Sequence, residues 1–138
     1  MIYVTVAFIV FYDEKNRILM QDRTGISRYG EEWNFFGRQV EEGESPKEGL
    51  LREIKEELTY DLKDYEFVSK RTNKSLKGYI GTEYMYASPL GNKLDLFDQK
   101  EGDDMKLFSI EEAKKLKLFT GHEKLLEDIE NYLEKKNG

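Results

Sequence analysis

Residues 37–58, GRQVEEGESPKEGLLREIKEEL, join a glycine-containing loop to a well-marked helix. Ser45 is a natural N-cap, Pro46 suits the first helical position, and Glu48 completes a capping box with Ser45. The apolar residues that follow share one stripe of the helix: Leu50, Leu51, Ile54 and Leu58. The stretch therefore predicts a loop followed by an amphipathic helix that begins near Pro46.

The other side of this predicted helix carries three glutamates, Glu53, Glu56 and Glu57. At about 100° per residue they fall within an arc of roughly 100°, where like charges repel one another. Gly49 projects between Glu53 and Glu56 one turn earlier, and we expect it to leave open space beside them. Two interpretations of this face remain open, a solvated helix surface or an oxygen-ligand site for Mg²⁺ or Mn²⁺.

Arg52 lies at the edge of the acidic face. Its neighbours at i−4 and i+4 are Glu48 and Glu56, so the spacing predicts a ladder of ion pairs through Arg52.

Strand-like and helical segments flank the stretch on both sides. The predicted strands are 2–11, 17–22, 33–36, 64–72, 78–87 and 105–108, with an exposed loop at 24–32. Two further helices follow, with predicted capping boxes at Ser109 with Glu112 and at Thr120 with Glu123. This order predicts an α/β (α+β) fold, a mixed β-sheet with helices layered on it, in a single domain over residues 1–138.

The composition excludes several kinds of protein. A formal net charge of −6 argues against a general nucleic-acid or membrane-surface binder. The apolar run at 2–12 is too short to span a bilayer and has no basic flank. The absence of cysteine fits a cytoplasmic location, and a single histidine, His122, leaves any metal site dependent on oxygen ligands.

The spacing of the charged residues from Gly37 onward resembles the signature of the Nudix hydrolases, G-x5-E-x7-R-E-U-x-E-E-x-G-U, where U is aliphatic. After Gly37, six positions match in register: Glu44, Arg52, Glu53, Ile54, Glu56 and Glu57. The order of strands and helices over nearly the whole chain is also similar to that family.

The resemblance implies a Nudix α/β/α sandwich and Mg²⁺-dependent hydrolysis of a nucleoside diphosphate linked to another group. It implies that Glu53, Glu56 and Glu57 hold the metal, with the Gly37 carbonyl as a further ligand and Glu53 as the base that activates water. Glu44 and Arg52 then support the helix and the loop. Glu101 resembles a further metal ligand found on a later loop of the family, and an ordinary solvated acid is the alternative.

Two positions depart from the signature, since Arg38 and Thr59 stand where it has glycines. If position 38 needs a positive φ, Arg38 strains or obstructs the loop; alternatively its guanidinium binds substrate phosphate. Thr59 falls where a helix C-cap glycine is preferred, and it costs stability if the left-handed geometry is retained.

The predicted pocket offers several substrate-binding candidates. Trp33, Tyr29 and Phe35 can stack on a base, although alternate members of WNFF must belong to the core. Asn34 can read a base edge or serve as an ordinary strand residue. We expect His122, at a helix start, to be a capping or surface residue rather than a catalyst.

The sequence thus supports two hypotheses of different kinds. The first is a Mg²⁺- or Mn²⁺-dependent pyrophosphohydrolase acting on a small-molecule nucleotide, such as a nucleoside triphosphate or a nucleotide sugar. The alternative is a Nudix-fold nucleotide-binding or regulatory module whose catalysis Arg38 and Thr59 have weakened. A homodimer is compatible with either hypothesis.

Overall fold

The computed structural model describes residues 1–98 and 104–137. The strands are β1 (Ile2–Tyr12), β2 (Ile18–Asp22), β3 (Trp33–Asn34), β4 (Phe36–Gln39), β5 (Glu66–Asn73), β6 (Tyr79–Pro89) and β7 (Met105–Phe108). The helices are α1 (Pro46–Leu58), α2 (Ile110–Ala113) and α3 (Glu123–Asn137), with a 3₁₀ turn at Lys93–Leu96.

The seven strands form one mixed sheet centred on β1. Its main path runs β3-β2-β1-β6-β5, while β4 pairs with β1 and β7 pairs with β2. The β1–β6 pair is parallel and the other pairs are antiparallel. Because β1 has neighbours along both edges and is covered on both faces, its apolar run is nearly continuous.

Alternate residues of β1 point into two separate cores. Ala7, Ile9 and Phe11 pack against the apolar stripe of α1. Val6, Phe8 and Val10 pack on the other face, against α3 residues that include Leu125 and Ile129. The predicted α/β/α layering with a mixed sheet is therefore confirmed.

Local signals placed the first two helices correctly. Both predicted capping boxes are present, Ser45 with Glu48 and Ser109 with Glu112, and Pro46 opens α1. The third predicted box is wrong, because α3 begins at Glu123 and the His122 carbonyl accepts the first helical bond from Leu126 N at 3.1 Å.

The predicted single strand at 33–36 is in fact two short strands. Trp33 and Asn34 pair with β2, whereas the chain from Phe36 to Gln39 pairs with β1. Arg38 thus lies in a strand opposite Ala7 and not in a loop. The glycine-containing loop begins only after β4.

Helix α1 ends in the left-handed geometry that usually selects glycine. Thr59 closes the helix with φ 54° and ψ 41°, and its N–H donates to the Lys55 carbonyl. A β-branched residue in this conformation places Cβ against its own backbone, so Thr59 is a strained cap.

We predict that Thr59→Gly raises the free energy of unfolding by about 0.5–1 kcal/mol, because relief of strain outweighs the added entropy of the unfolded chain. Urea denaturation measures this change. As a matched control, Thr72→Gly replaces an exposed threonine inside β5 and should destabilise the protein. A loss of stability at position 59 as well would contradict the assignment of strain.

Candidate functional site

The three glutamates of α1 differ in burial. Glu53 and Glu57 are buried, whereas the Glu56 side chain is 59% exposed. The interpretation of this face as a solvated surface is therefore wrong for two of its three members. Buried acids on a helix need partners or a ligand to offset the loss of hydration.

Glu57 is the least compensated of the three. Its carboxylate oxygens are both buried, and neither makes a hydrogen bond of standard geometry with the residues that the structure describes. Burial, and to a smaller extent repulsion from Glu53, raises the pKa of Glu57 to about 7. The positive charges of Arg38 and Arg23 and the Gln21 side chain lower this pKa and so offset part of the rise. Glu57 is thus a buried acid whose neighbours compensate its charge only in part.

Arg52 organises the carboxylates next to Glu57. Its guanidinium makes a two-point contact with Glu44, Nε to Oε2 at 2.8 Å and Nη2 to Oε1 at 3.0 Å. Nη1 donates to Glu53 at 2.9 Å and to Glu56 at 3.3 Å. Arg52 therefore ties the loop before α1 to the acidic face of the helix.

The predicted ion-pair ladder forms on one side of Arg52 only. The Glu48 carboxylate accepts from the Ser45 backbone N–H at 2.8 Å and is committed to the helix cap. Glu44 takes the place predicted for Glu48, and its contact with Arg52 lowers the pKa of the Glu44 carboxyl.

Gly49 leaves no open space beside the carboxylates, so that expectation is wrong. A Cβ built at Gly49 lies 3.1 Å from Val40 Cγ2 and 3.3 Å from Glu44 Oε1. Glycine at this position lets the loop that carries Glu44 approach the helix closely. The effect is to bring Glu44 within reach of Arg52.

Gly37 allows a similarly close approach between two strands. Its φ is +132°, and a Cβ added there lies 2.0 Å from the Ala7 carbonyl oxygen. Any other residue at position 37 displaces β4 from β1. Whether the Gly37 carbonyl is a metal ligand stays a prediction.

Arg38 does not strain the backbone. Among the described non-glycine residues only Asn16 and Thr59 have a positive φ. Arg38 is exposed, and its positive charge opposes the rise in the pKa of Glu57. The other expectation for Arg38, a guanidinium that binds substrate phosphate, stays a prediction.

A cavity of about 210 Å³ lies beside this cluster. Arg38 and Arg23 line the cavity, and their positive charges also lower the pKa of Glu57. The cavity therefore lies next to the acidic face of α1. A third arginine, Arg28, lines it as well, and the three arginines outnumber the two acids of the lining, Glu31 and Glu83, so a chain with a net charge of −6 has an excess of positive charge on this rim. Such a rim suits a phosphorylated ligand.

The predicted substrate residues separate into two groups. Tyr29 and Asn34 line the cavity, Tyr29 from the 24–32 loop and Asn34 from β3. Glu31 fixes that loop, because its Oε1 accepts from Ser27 Oγ at 2.8 Å and from Tyr29 N at 3.1 Å.

The other two aromatic candidates pack with the core, Phe35 as a buried member and Trp33 as a half-buried neighbour. Trp33 is not part of the cavity lining and packs edge-to-face on Phe108 at 4.9 Å. Phe35 is buried in the α3-facing core. The expectation that they stack on a ligand is not supported by these positions.

His122 is buried, so its description as a surface residue is wrong. Its Nδ1 lies 2.8 Å from Asn34 Oδ1 and its Nε2 lies 2.8 Å from Glu83 Oε2. Sequence reasoning missed Glu83 altogether. The available signal was its place in β6, where it follows the period of the apolar Met85 and Ala87 and points inward.

Some of the described residues have the chemistry that a hard divalent cation prefers, but they do not form a complete set of metal ligands. Within 1–98 and 104–137, no three acidic or histidine side chains are gathered closely enough to hold a metal ion. The buried and only partly compensated Glu57 beside Glu53 nevertheless fits such a cation, whose charge relieves both the repulsion and the missing hydrogen bonds. Glu101, the further candidate ligand, lies outside the described residues.

The raised pKa of Glu57 predicts how the free energy of unfolding changes with pH. Because the folded state binds this proton more tightly than the unfolded state, the metal-free protein loses stability as pH rises from about 4.5 to about 7. A shift of this size corresponds to at most roughly 3 kcal/mol.

Comparison of the wild type with Glu57→Gln separates the contribution of Glu57 to the pH dependence of stability from that of all other titrating groups. The variant should match the wild type near pH 4.5 and exceed it in unfolding free energy at pH 8, both measured by urea denaturation with EDTA present. Parallel stability curves over that range would contradict a buried Glu57 that is only partly compensated.

No helix among the described residues has both the length and the apolar character needed to cross a membrane.

Comparison with known proteins places these features in a family context. A family model described as NUDIX domain matches residues 2–129. A curated relative, an 8-oxo-dGTP diphosphatase of Proteus vulgaris, is 36% identical over 53 residues, which is 38% of this chain and 47% of that protein. The match thus spans about half the length of that relative.

Solved structures show the same fold over almost the full chain. The solution structure of the E. coli ORF135 protein superposes with a TM-score of 0.76 at 26% identity and covers 95% of this chain and 91% of that one. The MutT protein from Methanosarcina mazei Go1 superposes with a TM-score of 0.73 at 20% identity and covers 94% of each chain.

Proposed function

Because the chain belongs to the NUDIX-domain family, with a family match over residues 2–129, we propose that it is a Mg²⁺-dependent pyrophosphohydrolase. Its substrate is a nucleoside diphosphate linked to another moiety, of the nucleoside triphosphate or nucleotide sugar type. Water cleaves the phosphoanhydride bond, and a triphosphate yields a nucleoside monophosphate and pyrophosphate. The observation that carries the proposal is Glu57, a buried and only partly compensated acid beside Glu53 and next to an arginine-rimmed cavity.

In this proposal the acidic face of α1 holds the metal. Glu53, Glu56 and Glu57 supply carboxylate oxygens, with the Gly37 carbonyl and Glu101 as further ligands. Mn²⁺ is expected to substitute for Mg²⁺ because both prefer oxygen donors. A cation held there would supply Lewis acidity, which would stabilise negative charge on the reacting phosphates.

The remaining residues bind, orient and move protons. Glu53 accepts the proton of the attacking water, while Glu44 and Arg52 hold the loop and the helix in register. Arg38, together with Arg23 and Arg28 at the cavity rim, binds the substrate phosphates.

The base then enters the cavity, with Tyr29 and Asn34 at its lining. Trp33 has no role in binding in this proposal, since its ring packs on Phe108.

A panel of nucleotides tests the proposal. The four nucleoside triphosphates, their deoxy forms, 8-oxo-dGTP and nucleotide sugars are incubated with Mg²⁺ or Mn²⁺, and the products are identified by anion-exchange chromatography. The name of the Proteus relative is the reason to include 8-oxo-dGTP. Metal-dependent release of a nucleoside monophosphate supports the proposal, and no turnover of any member overturns it.

The same panel addresses the alternative of a nucleotide-binding or regulatory module. That function predicts nucleotide binding without turnover. The ordinary strand backbone of Arg38 removes one of the two reasons for expecting weakened catalysis. The proposal also includes a single domain over residues 1–138 and a cytoplasmic location. A homodimer is compatible with it.

A further inference from the structure

Arg38 lies where the acidic face of α1 meets the sheet. In β4 it is opposite Ala7, and Phe36, two residues earlier, is opposite Ile9. Ala7, Ile9 and Phe36 all belong to the core that packs against α1. Because alternate residues of a strand share one face of the sheet, the Arg38 side chain leaves the sheet on the side that α1 covers.

Glu57 approaches the same place from the helix. It follows Leu50 by two turns and lies roughly 20° from it around the helix axis. Leu50 is fully buried in the core beneath α1, and Glu57 is only 2% exposed. The helix therefore directs an acid, and the sheet an arginine, into the space between them.

The arginine of the helix itself is committed to the other acids. Arg52 donates to Glu44 at 2.8 and 3.0 Å, to Glu53 at 2.9 Å and to Glu56 at 3.3 Å. Among the described residues, the ion pairs of Arg52 do not include Glu57. The positive charge that offsets Glu57 must therefore come from the sheet.

Two arginines of the sheet side supply this charge, and Arg38 is the more important of them. Arg23 also serves Glu31, whose Oε2 lies 3.8 Å from Arg23 Nε, and it donates to Gln21 at 3.2 Å. Burial raises the pKa of Glu57, and Arg38 has the largest effect among the groups that lower it. This agrees with the placement of Arg38 beneath the helix.

Arg38 is also the position at which this chain departs from the family signature, which has glycine there. Glycine provides no charge, whereas Arg38 adds a permanent cation beside the carboxylates. Such a cation stabilises the carboxylates in the absence of metal and repels a divalent ion that approaches them. Arg38 lines the cavity as well, so its guanidinium has a second direction available.

We propose that Arg38 is an exchangeable counter-charge for Glu57. In the metal-free protein its guanidinium offsets the charge of the buried carboxylate. When a divalent cation binds Glu57, the guanidinium turns to the cavity and contacts the phosphate of the nucleotide. The identity of these two ligands rests on the proposed function, whereas the pairing of Arg38 with Glu57 does not.

The exchange gives Arg38 opposite effects on the two ligands. It weakens the binding of Mg²⁺, because the cation competes with the guanidinium for Glu57 and is repelled by it. It strengthens the binding of the nucleotide, because a guanidinium forms charge-assisted hydrogen bonds with phosphate. An arginine that serves phosphate alone has only the second effect, and an ordinary surface arginine has neither.

A double-mutant cycle in the metal-free protein tests the pairing directly. Arg38→Gln is introduced into the wild type and into Glu57→Gln, and the unfolding equilibrium constants are measured in urea at pH 8 with EDTA. We expect Arg38→Gln to raise the unfolding constant at least about threefold more in the wild type than in the Glu57→Gln background. A smaller ratio would overturn the inference.

Calorimetric titration with Mg²⁺ alone tests the competition. Arg38→Gln should bind Mg²⁺ at least about threefold more tightly than the wild type. The matched control is Arg28→Gln, which removes an arginine of the same cavity lining whose charge is not among the main influences on the pKa of Glu57. An unchanged or weaker affinity in Arg38→Gln, or an equal gain in Arg28→Gln, would overturn the inference.

The methylene-bridged analogue of ADP, which cannot be cleaved between its phosphates, tests the second direction of Arg38. At saturating Mg²⁺, Arg38→Gln should bind the analogue at least about threefold more weakly than the wild type. The expected pair of results is thus tighter Mg²⁺ and weaker nucleotide binding in one variant. Unchanged binding of the analogue would overturn the exchange.

These outcomes separate the inference from the proposed function. Mg²⁺ binding that appears only in Arg38→Gln, together with coupling in the metal-free cycle, supports the inference and overturns the proposed metal dependence of the wild type. Metal-dependent hydrolysis by a protein in which Arg38 and Glu57 show no coupling supports the enzyme and overturns the inference.

Discussion

Replacement of Glu57 by Gln is expected to lower metal-dependent turnover of nucleotide substrates by roughly 10²–10³-fold, because a cation bound to carboxylates supplies several kcal/mol of transition-state stabilisation. Glu57 is the acid that most needs the cation, since both of its oxygens are buried without a standard hydrogen-bond partner among the described residues. Glutamine keeps the volume and removes the charge. The measurement is kcat/KM at saturating Mg²⁺ on the best substrate of the panel.

The control for this prediction is Glu111→Gln, which removes an exposed acid of α2 that contacts Lys114 at 3.3 Å. Its turnover should stay within about twofold of the wild type, as for most surface substitutions. Metal-free Glu57→Gln is expected to be no less stable than the wild type, so unfolding does not explain a loss of activity. Turnover of Glu57→Gln within about threefold of the wild type would contradict a metal role for this carboxylate.

The second large effect concerns stability. We expect Arg52→Ala to lower the free energy of unfolding by about 2 kcal/mol, because charge-assisted and two-point hydrogen bonds are among the strongest in proteins. The figure is smaller than that for a fully buried ion pair, since the Arg52 side chain is 23% exposed. For a domain of this size the melting temperature should fall by roughly 5–10 °C.

Related variants separate the contacts of Arg52. Arg52→Lys keeps the charge and loses the planar fork, so it should recover only part of the lost stability. Glu44→Gln should destabilise more than Glu56→Gln, because Glu44 makes the two-point contact and Glu56 makes a longer one at 3.3 Å with an exposed side chain. Equal effects of these two substitutions would contradict the assignment of Glu44 as the principal partner.

Local signals in the sequence predicted α1 well. Its start depends on Ser45, Pro46 and Glu48, and its inward face depends on apolar spacing, all of which act within a few residues. The left-handed geometry at Thr59 was expected only from the resemblance to the family signature, which has glycine there, since the local propensity of threonine disfavours it. The layering of the fold follows in turn from the order of the strands and helices.

The helix alone does not show which groups cover Glu57. The burial of Glu57 depends on Gln21 and Arg23 at the end of β2 and on Arg38 in β4, which approach α1 only when the sheet has formed. At about 100° per residue, Glu57 lies roughly 20° from Leu50, at the border of the apolar stripe, so the expectation that it lies on the opposite side of the helix is wrong. Only the tertiary arrangement shows an acid covered by other elements.

The cavity was predicted only in part for a similar reason. Tyr29 and Asn34 were found because they stand near the glycine-containing loop in the sequence. Glu83 and His122 come from distant elements, and β-sheet pairing and the packing of α3 bring them to Asn34. Trp33 packs against the core from β3, which pairs with β2, whereas β4 pairs with β1, and strand propensity does not show which neighbour each half pairs with.

Mg²⁺ binding at pH 8, measured by isothermal titration calorimetry and by the rise in melting temperature, tests most directly whether the acidic face of α1 is a metal site. Binding to the folded state raises stability by mass action, so wild-type protein should melt higher as Mg²⁺ increases. Glu57→Gln should bind at least about tenfold more weakly, as expected for the loss of a charged ligand. Absence of any Mg²⁺ effect on the wild type, or an equal effect on the variant, would contradict the account.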